Sequence, residues 1–171
     1  MRKIVAGFAI SLDGYIEGPQ GEYDWIIMDQ EFDFTGHLKK FDTFLFGRKS
    51  YEKFRRAGNP SFPGITNYVI SNSLDSVDKT FILAKGDPKK TIEKIREQKG
   101  KDIAVYGGAN LLSSLLDLDL IDEIQMTIIP VMLGSGKPMV ATLRKRAHLT
   151  LIEVKKFGSG AVQLIYQVKH K

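Results

Sequence analysis

The 171-residue chain is 43% hydrophobic and 26% charged, a balance that fits one folded domain with a buried core and excludes disordered or fibrous classes. It contains no cysteine, which excludes a disulfide framework, thiolate metal sites and cysteine nucleophiles. The net charge of +5 favours anionic ligands, but the lysines are dispersed and no aromatic stripe interleaves with them, so nucleic acid is not the expected partner.

The basic tip and apolar run at the start break at Ser11-Leu12-Asp13-Gly14, too soon for a secretory leader. No apolar stretch reaches the roughly 18 residues of a membrane span, so the expected location is the cytoplasm, without a membrane partner. Residues 3–10 read as a buried strand, and residues 11–24 as a loop punctuated by Gly14, Gly18, Pro19 and Gly21. A helix is expected over 31–40. A short buried strand at 43–46 stops at Gly47, and a helix follows from Lys49, with Tyr51 and Phe54 three residues apart. Strands are expected at 67–71 and 81–83. Asp87-Pro88 is a cap followed by a first-turn proline, and its helix runs to Gln98 before Gly100. The strand at 103–106 meets Gly107-Gly108 directly, and a helix follows over 109–116. Residues 122–129 alternate as a half-exposed strand closed by Pro130, and a loop occupies 134–138. Strands at 149–157 and 161–169, joined by Gly158-Ser159-Gly160, form a hairpin. The order predicts a single α/β domain over residues 1–171, with a mixed, mostly parallel sheet, helices on both faces and an antiparallel C-terminal hairpin.

Two segments combine a buried strand, a glycine turn and a helix start. They are Phe44-Leu45-Phe46-Gly47-Arg48-Lys49-Ser50-Tyr51 and Val105-Tyr106-Gly107-Gly108-Ala109-Asn110-Leu111. Such junctions aim free backbone N–H groups and the positive helix end at one point, a seat for phosphate. Arg48 adds a fork of donors suited to phosphate. The same glycines also serve a tight turn with no ligand. Neither segment has the spacing of a dinucleotide-binding fingerprint or a P-loop. His37, His148 and His170 lack metal-ligand spacing, so no metal is expected. Ser11 and Asp13 lie just past the first strand, where α/β sheets place ligand contacts, though a local turn explains them equally. Glu31 and Asp33 are either pocket acids or a solvated helix start, and Trp25 either a core lid or a substrate contact.

Ser11-Leu12-Asp13-Gly14-Tyr15-Ile16, Gly47-Arg48-Lys49-Ser50-Tyr51-Glu52, Tyr106-Gly107-Gly108-Ala109-Asn110-Leu111, Leu120-Ile121-Asp122-Glu123-Ile124 and Pro130-Val131-Met132-Leu133-Gly134-Ser135-Gly136 follow one another in a familiar order. Together they resemble the C-terminal reductase domain of bacterial riboflavin biosynthesis. They are more similar still to the stand-alone "dihydrofolate reductase family" proteins related to it. The resemblance implies a dihydrofolate reductase-like three-layer αβα sandwich that binds NADPH, reduces a small pyrimidine- or pterin-like heterocycle and forms a homodimer. Carried across, Gly47, Arg48, Lys49 and Ser50 hold the adenosine phosphate end. Ser71 and Asn72 flank the adenosine and its 2′-phosphate, and Tyr106, Gly107, Gly108, Ala109, Asn110 and Leu111 cradle the pyrophosphate. Where riboflavin-pathway reductases, which act on 5-amino-6-(5-phosphoribosylamino)uracil, usually carry glutamate before the small-residue turn, this chain has Tyr106. Asp13 and Glu31 are the candidate proton donors, best suited if partial burial raises their pKa. Dihydrofolate reductase activity and a non-catalytic NADPH-binding module are the alternatives. A filled substrate space would mark the latter.

Overall fold

A sheet whose strands are apolar on both sides needs cover on both sides. The computed structural model describes residues 1–59 and 61–170. In chain order these form β1 (Ile4–Ser11), β2 (Tyr15–Glu17), α1 (Phe34–Leu38), β3 (Phe41–Gly47), α2 (Arg48–Arg56), β4 (Thr66–Ile70) and β5 (Ile82–Ala84). Then follow α3 (Pro88–Glu97), β6 (Asp102–Tyr106), α4 (Ala109–Asp117), β7 (Glu123–Ile129), β8 (Lys137–Pro138), β9 (Leu149–Lys156) and β10 (Val162–Val168). The main sheet has eight strands in the order β5-β4-β3-β6-β1-β7-β10-β9. From β5 to β7 all neighbours are parallel, whereas β10 is antiparallel to both β7 and β9.

Alternate residues of each central strand feed opposite cores. Ile4, Ala6 and Leu45 pack with Ile92 and Ile95 of α3 and with Leu112, Leu115 and Leu116 of α4. Val5, Phe44 and Phe46 pack on the other face with Phe54 of α2 and with Phe81. Leu45, Phe46, Ile92 and Leu115 are fully buried, each stabilising the fold by about 2 kcal/mol through surface removed from water. The result is the three-layer αβα sandwich with a mostly parallel sheet and an antiparallel C-terminal hairpin that the sequence predicts.

Three elements differ from the sequence expectation: α1, β2, and β8 within the loop expected over 134–138. The helix expected over 31–40 contracts to α1, because Asp33 caps it, its Oδ1 accepting from Gly36 N at 2.8 Å. The residues before it serve the hairpin instead: Asp29 accepts from Ser159 N at 3.0 Å and Glu31 from Gly158 N at 3.4 Å. The loop expected over 11–24 contains β2, which pairs with β8 in a separate two-stranded sheet. Trp25 packs against the cluster of Ile129, Phe157 and Ala161 beneath the hairpin turn.

Candidate functional site

In an open parallel sheet the crevice at the carboxyl ends of the strands is the natural ligand position. Here β3 and β6 lie side by side with Phe46 opposite Tyr106, so Gly47 and Gly107 emerge together. The two turns abut: a Cβ at Gly107 would lie 3.5 Å from the backbone nitrogen of Gly47. Gly47 and Gly108 are the N-caps of α2 and α4, and neither helix start has a side-chain cap. By contrast α1 and α3 are capped by Asp33 and Asp87. The first N–H groups of α2 and α4 therefore have no acceptor within their helices and point at the crevice with the positive helix ends. Ser50 Oγ ties the two starts together by accepting from Gly108 N at 3.0 Å.

Three connected spaces follow the crevice. The first, about 480 Å³, is bordered by Gly47, Arg48, Lys49 and Ser50 on one side and Gly108, Ala109, Asn110 and Leu111 on the other. Ser71, Asn72 and Lys137 complete its rim. The second, about 490 Å³, shares Lys49, Ser50, Gly108 and Lys137 with the first and adds Tyr106 and Gly107. The third, about 250 Å³, shares Gly7, Phe8, Ala9, Ile26, Val105 and Tyr106 with the second and runs under the aromatic side chains of Phe32, Phe41, Phe44, Phe62 and Phe157. All twelve residues expected at the cofactor thus border one continuous groove.

The groove's charges are partly engaged. Lys53 and Lys137 share Glu17 Oε1, each at 3.5 Å, and Arg48 lies 3.6 Å from Glu52. Lys49 has no ion-pair partner among the described residues, leaving its charge for a ligand. Asn72 closes the rim, its amide donating to Gly86 O at 3.0 Å and accepting from Gly86 N at 2.7 Å. Ser71 Oγ is likewise used locally, accepting from Ser73 N and Leu74 N. These two residues shape the first space through the loop they hold.

Asp13 and Glu31 border none of the three spaces. Asp13 accepts from Ser11 Oγ, Leu133 N and Gly134 N, and these bonds, the Ser11 hydroxyl first, hold its pKa below the ordinary value. That is opposite to what a proton donor needs, so the geometry gives Asp13 a positioning role: it clasps the segment leading to Lys137. Glu31 secures the hairpin turn. Three other groups line the third space. His37 is pushed below its ordinary value by burial and then by Lys40, which leaves it neutral. Asp29 is held down by Ser159 and by the N–H of Glu31, which leaves it ionised. Tyr106 is pushed up by burial and then by Tyr23, which keeps the phenol protonated. Lys137, Asp29 and His37 give no local sequence signal as site residues, because loops distant in the chain bring them to the groove.

Residues 2–163 match the family model described as the RibD C-terminal domain. The chain is 35% identical over 177 residues to the uncharacterized protein YyaP of Bacillus subtilis strain 168, covering 96% of this chain and 94% of the relative. A crystal structure from Shewanella sp. PV-4, provisionally assigned to riboflavin biosynthesis, superposes with a TM-score of 0.86 at 24% identity, over 98% of this chain and 99% of that one. Dihydrofolate reductase from Enterococcus faecalis, solved with NADP(H), superposes with a TM-score of 0.69 at 16% identity, over 98% and 96%. No helix among the described residues is long and apolar enough to cross a membrane. With its fold, its groove and a match along almost the whole chain in agreement, this protein belongs to the RibD C-terminal domain family.

Proposed function

We propose that the protein is a cytoplasmic NADPH-dependent reductase of a small pyrimidine- or pterin-like heterocycle. The observation that carries this reading is the continuity of the groove: two uncapped helix starts with Arg48 and Lys49 lead past Tyr106 into an aromatic-walled space. The donor set suits a phosphorylated dinucleotide, with backbone N–H groups from α2 and α4 and the cations Arg48, Lys49, Lys53 and Lys137 along the first two spaces. Arg48, Lys49 and Ser50 would hold the adenosine phosphate end, Gly107, Gly108, Ala109, Asn110 and Leu111 the pyrophosphate, with Ser71 and Asn72 at the adenosine. When bound, NADPH supplies hydride to a C=N or C=O carbon of the substrate.

The protein's own part is orientation, exclusion of water and proton supply. The phenyl rings around the third space keep water out. The electron pair displaced onto nitrogen or oxygen takes up a proton, and Tyr106 is the protonated side chain that borders both the second and third spaces. Asp13 acts at one remove, by fixing the loop that carries Lys137. The open third space favours catalysis over a sensing role, because Trp25 packs beneath the hairpin and does not line it. The β9 edge, exposed along all eight residues, supports a homodimer in which a second copy covers it.

The reading is tested by following NADPH oxidation with pterins, pyrimidines and dihydrofolate as acceptors. Turnover with at least one is expected, and Tyr106→Phe should lower it about 100-fold while NADPH affinity changes less than about threefold. NADPH binding without turnover on any heterocycle would instead support the non-catalytic module. Dihydrofolate as the preferred acceptor would make it a dihydrofolate reductase.

A further inference from the structure

We propose that the third space takes a flat, uncharged heterocycle with an amide-like edge, and that it rejects ligands carrying a phosphate. The inference concerns what binds; that the bound ring is then reduced rests on the reductase reading.

The room for a ring is written into the strands. The floor is the sheet face that carries Gly7 and Ala9 of β1, Gln125 and Thr127 of β7, and Gln163 of β10, which are neighbours in register. A Cβ added at Gly7 would meet nothing within 4 Å, so the absence of a side chain there opens the space above the strand. At about 250 Å³ the space lies near the lower end of the range for small-molecule pockets, roughly 300 Å³ and above, and suits one ring system without a long substituent. Its phenyl walls offer flat faces for stacking.

The floor also carries hydrogen-bonding groups that the protein leaves unused. Gln163 stands opposite Thr127 across the β7–β10 pair, and neither side chain makes a hydrogen bond among the described residues. Gln163 is only 9% exposed. Its amide atoms are not sealed inside the protein but border the space, free to pair with a ligand edge that offers one donor and one acceptor. Gln125 uses one amide N–H on Glu123 Oε1, at 2.6 Å, and keeps its carbonyl for a donor.

Charge decides against phosphate. No lysine or arginine among the described residues borders the third space. Its ionised group is the Asp29 carboxylate, held by backbone N–H groups at 2.8 and 3.0 Å, and His37, in contact with the rings of Phe32 and Phe41, is neutral. Lys155, 5.1 Å over the ring of Phe157, is not on the lining, and its charge already acts on the Asp29 carboxylate. A phosphate entering here would lose its water beside an anion with no cation in return. The cations of the groove, Arg48, Lys49, Lys53 and Lys137, border the first two spaces and not this one.

A matched pair of fluorescent probes tests this: 6-hydroxymethylpterin and its phosphate monoester, titrated into the purified protein with and without saturating NADP⁺. The alcohol should bind at least about tenfold more tightly than the ester. Gln163→Leu should weaken the alcohol about tenfold while NADP⁺ affinity and melting temperature hold. Phe34→Arg places a cation on an exposed rim residue and should raise affinity for the ester alone. Equal or tighter binding of the ester to the wild type, an unchanged alcohol affinity in Gln163→Leu, or no binding of the alcohol up to about 1 mM would each overturn the inference. NADP⁺ titrated alone reads the cofactor assignment separately. Its failure to bind, with alcohol selectivity intact, would remove the reductase reading and leave this inference standing.

Discussion

The carboxylate of Asp13 accepts from Ser11 Oγ at 2.6 Å, from Leu133 N at 3.1 Å and from Gly134 N at 2.7 Å, joining the loop after β1 to the loop after β7. Because its folded pKa lies below the ordinary 3.8, its stabilising contribution is present above that value and is lost as pH falls through the lower, folded one. Asp13→Asn should therefore lower the melting temperature by several degrees at neutral pH, and the gap to wild type should close in acid; a gap that stays constant down to pH 2 would contradict this role. The Ser-Leu-Asp-Gly segment is legible in the sequence as a place of consequence. Its job is not, because the partners are backbone N–H groups more than a hundred residues away, and any residue type can supply those. Tyr106 differs: its place before Gly107 marks it as a groove residue from sequence alone, while the contacts of its ring with Phe44, Phe46, Phe54 and Phe62 belong to the fold.

Elements with strong local signals lie where the sequence places them. The Asp87-Pro88 start opens α3, with Asp87 Oδ1 accepting from Lys90 N at 2.8 Å, and Gly158-Ser159-Gly160 turns the hairpin of β9 and β10. Elements that depend on distant partners escape local reading. β2 and β8 exist because each completes the other, and α1 is short because hairpin contacts take the residues before it. Gly136 is the tight point of the β2–β8 pair. Its φ of 154° is one that L-residues rarely adopt, and a Cβ there would lie 2.2 Å from Glu17 O. Gly136→Ala should cost about 2 kcal/mol in urea unfolding and weaken NADPH binding through Lys137, the next residue in the chain. Wild-type stability and affinity in that variant would remove the β2–β8 pair from the account.

Across the whole molecule the two ends of the sheet do different work. At the amino ends of the strands, Arg96 grips Asp122 with bonds of 2.6 and 2.8 Å, Asp122 accepts from Ile4 N at 2.7 Å, and Arg2 is buried against Asp42 and Thr43. At the carboxyl ends the helix starts are left uncapped and cations face open space. Asp122→Ala should thus destabilise the fold by about 3 kcal/mol, because it strands a largely buried Arg96, while the folded fraction keeps its NADPH affinity. Loss of affinity with stability unchanged would reverse this division of labour. Whether the carboxyl-end groove is an NADPH site is decided by calorimetric titration of the purified protein with NADPH and NADH, repeated on Arg48→Ala. NADPH should bind tighter than NADH by about tenfold or more, and Arg48→Ala should weaken NADPH far more than NADH. Failure of both dinucleotides to bind would leave the fold intact and contradict the assignment.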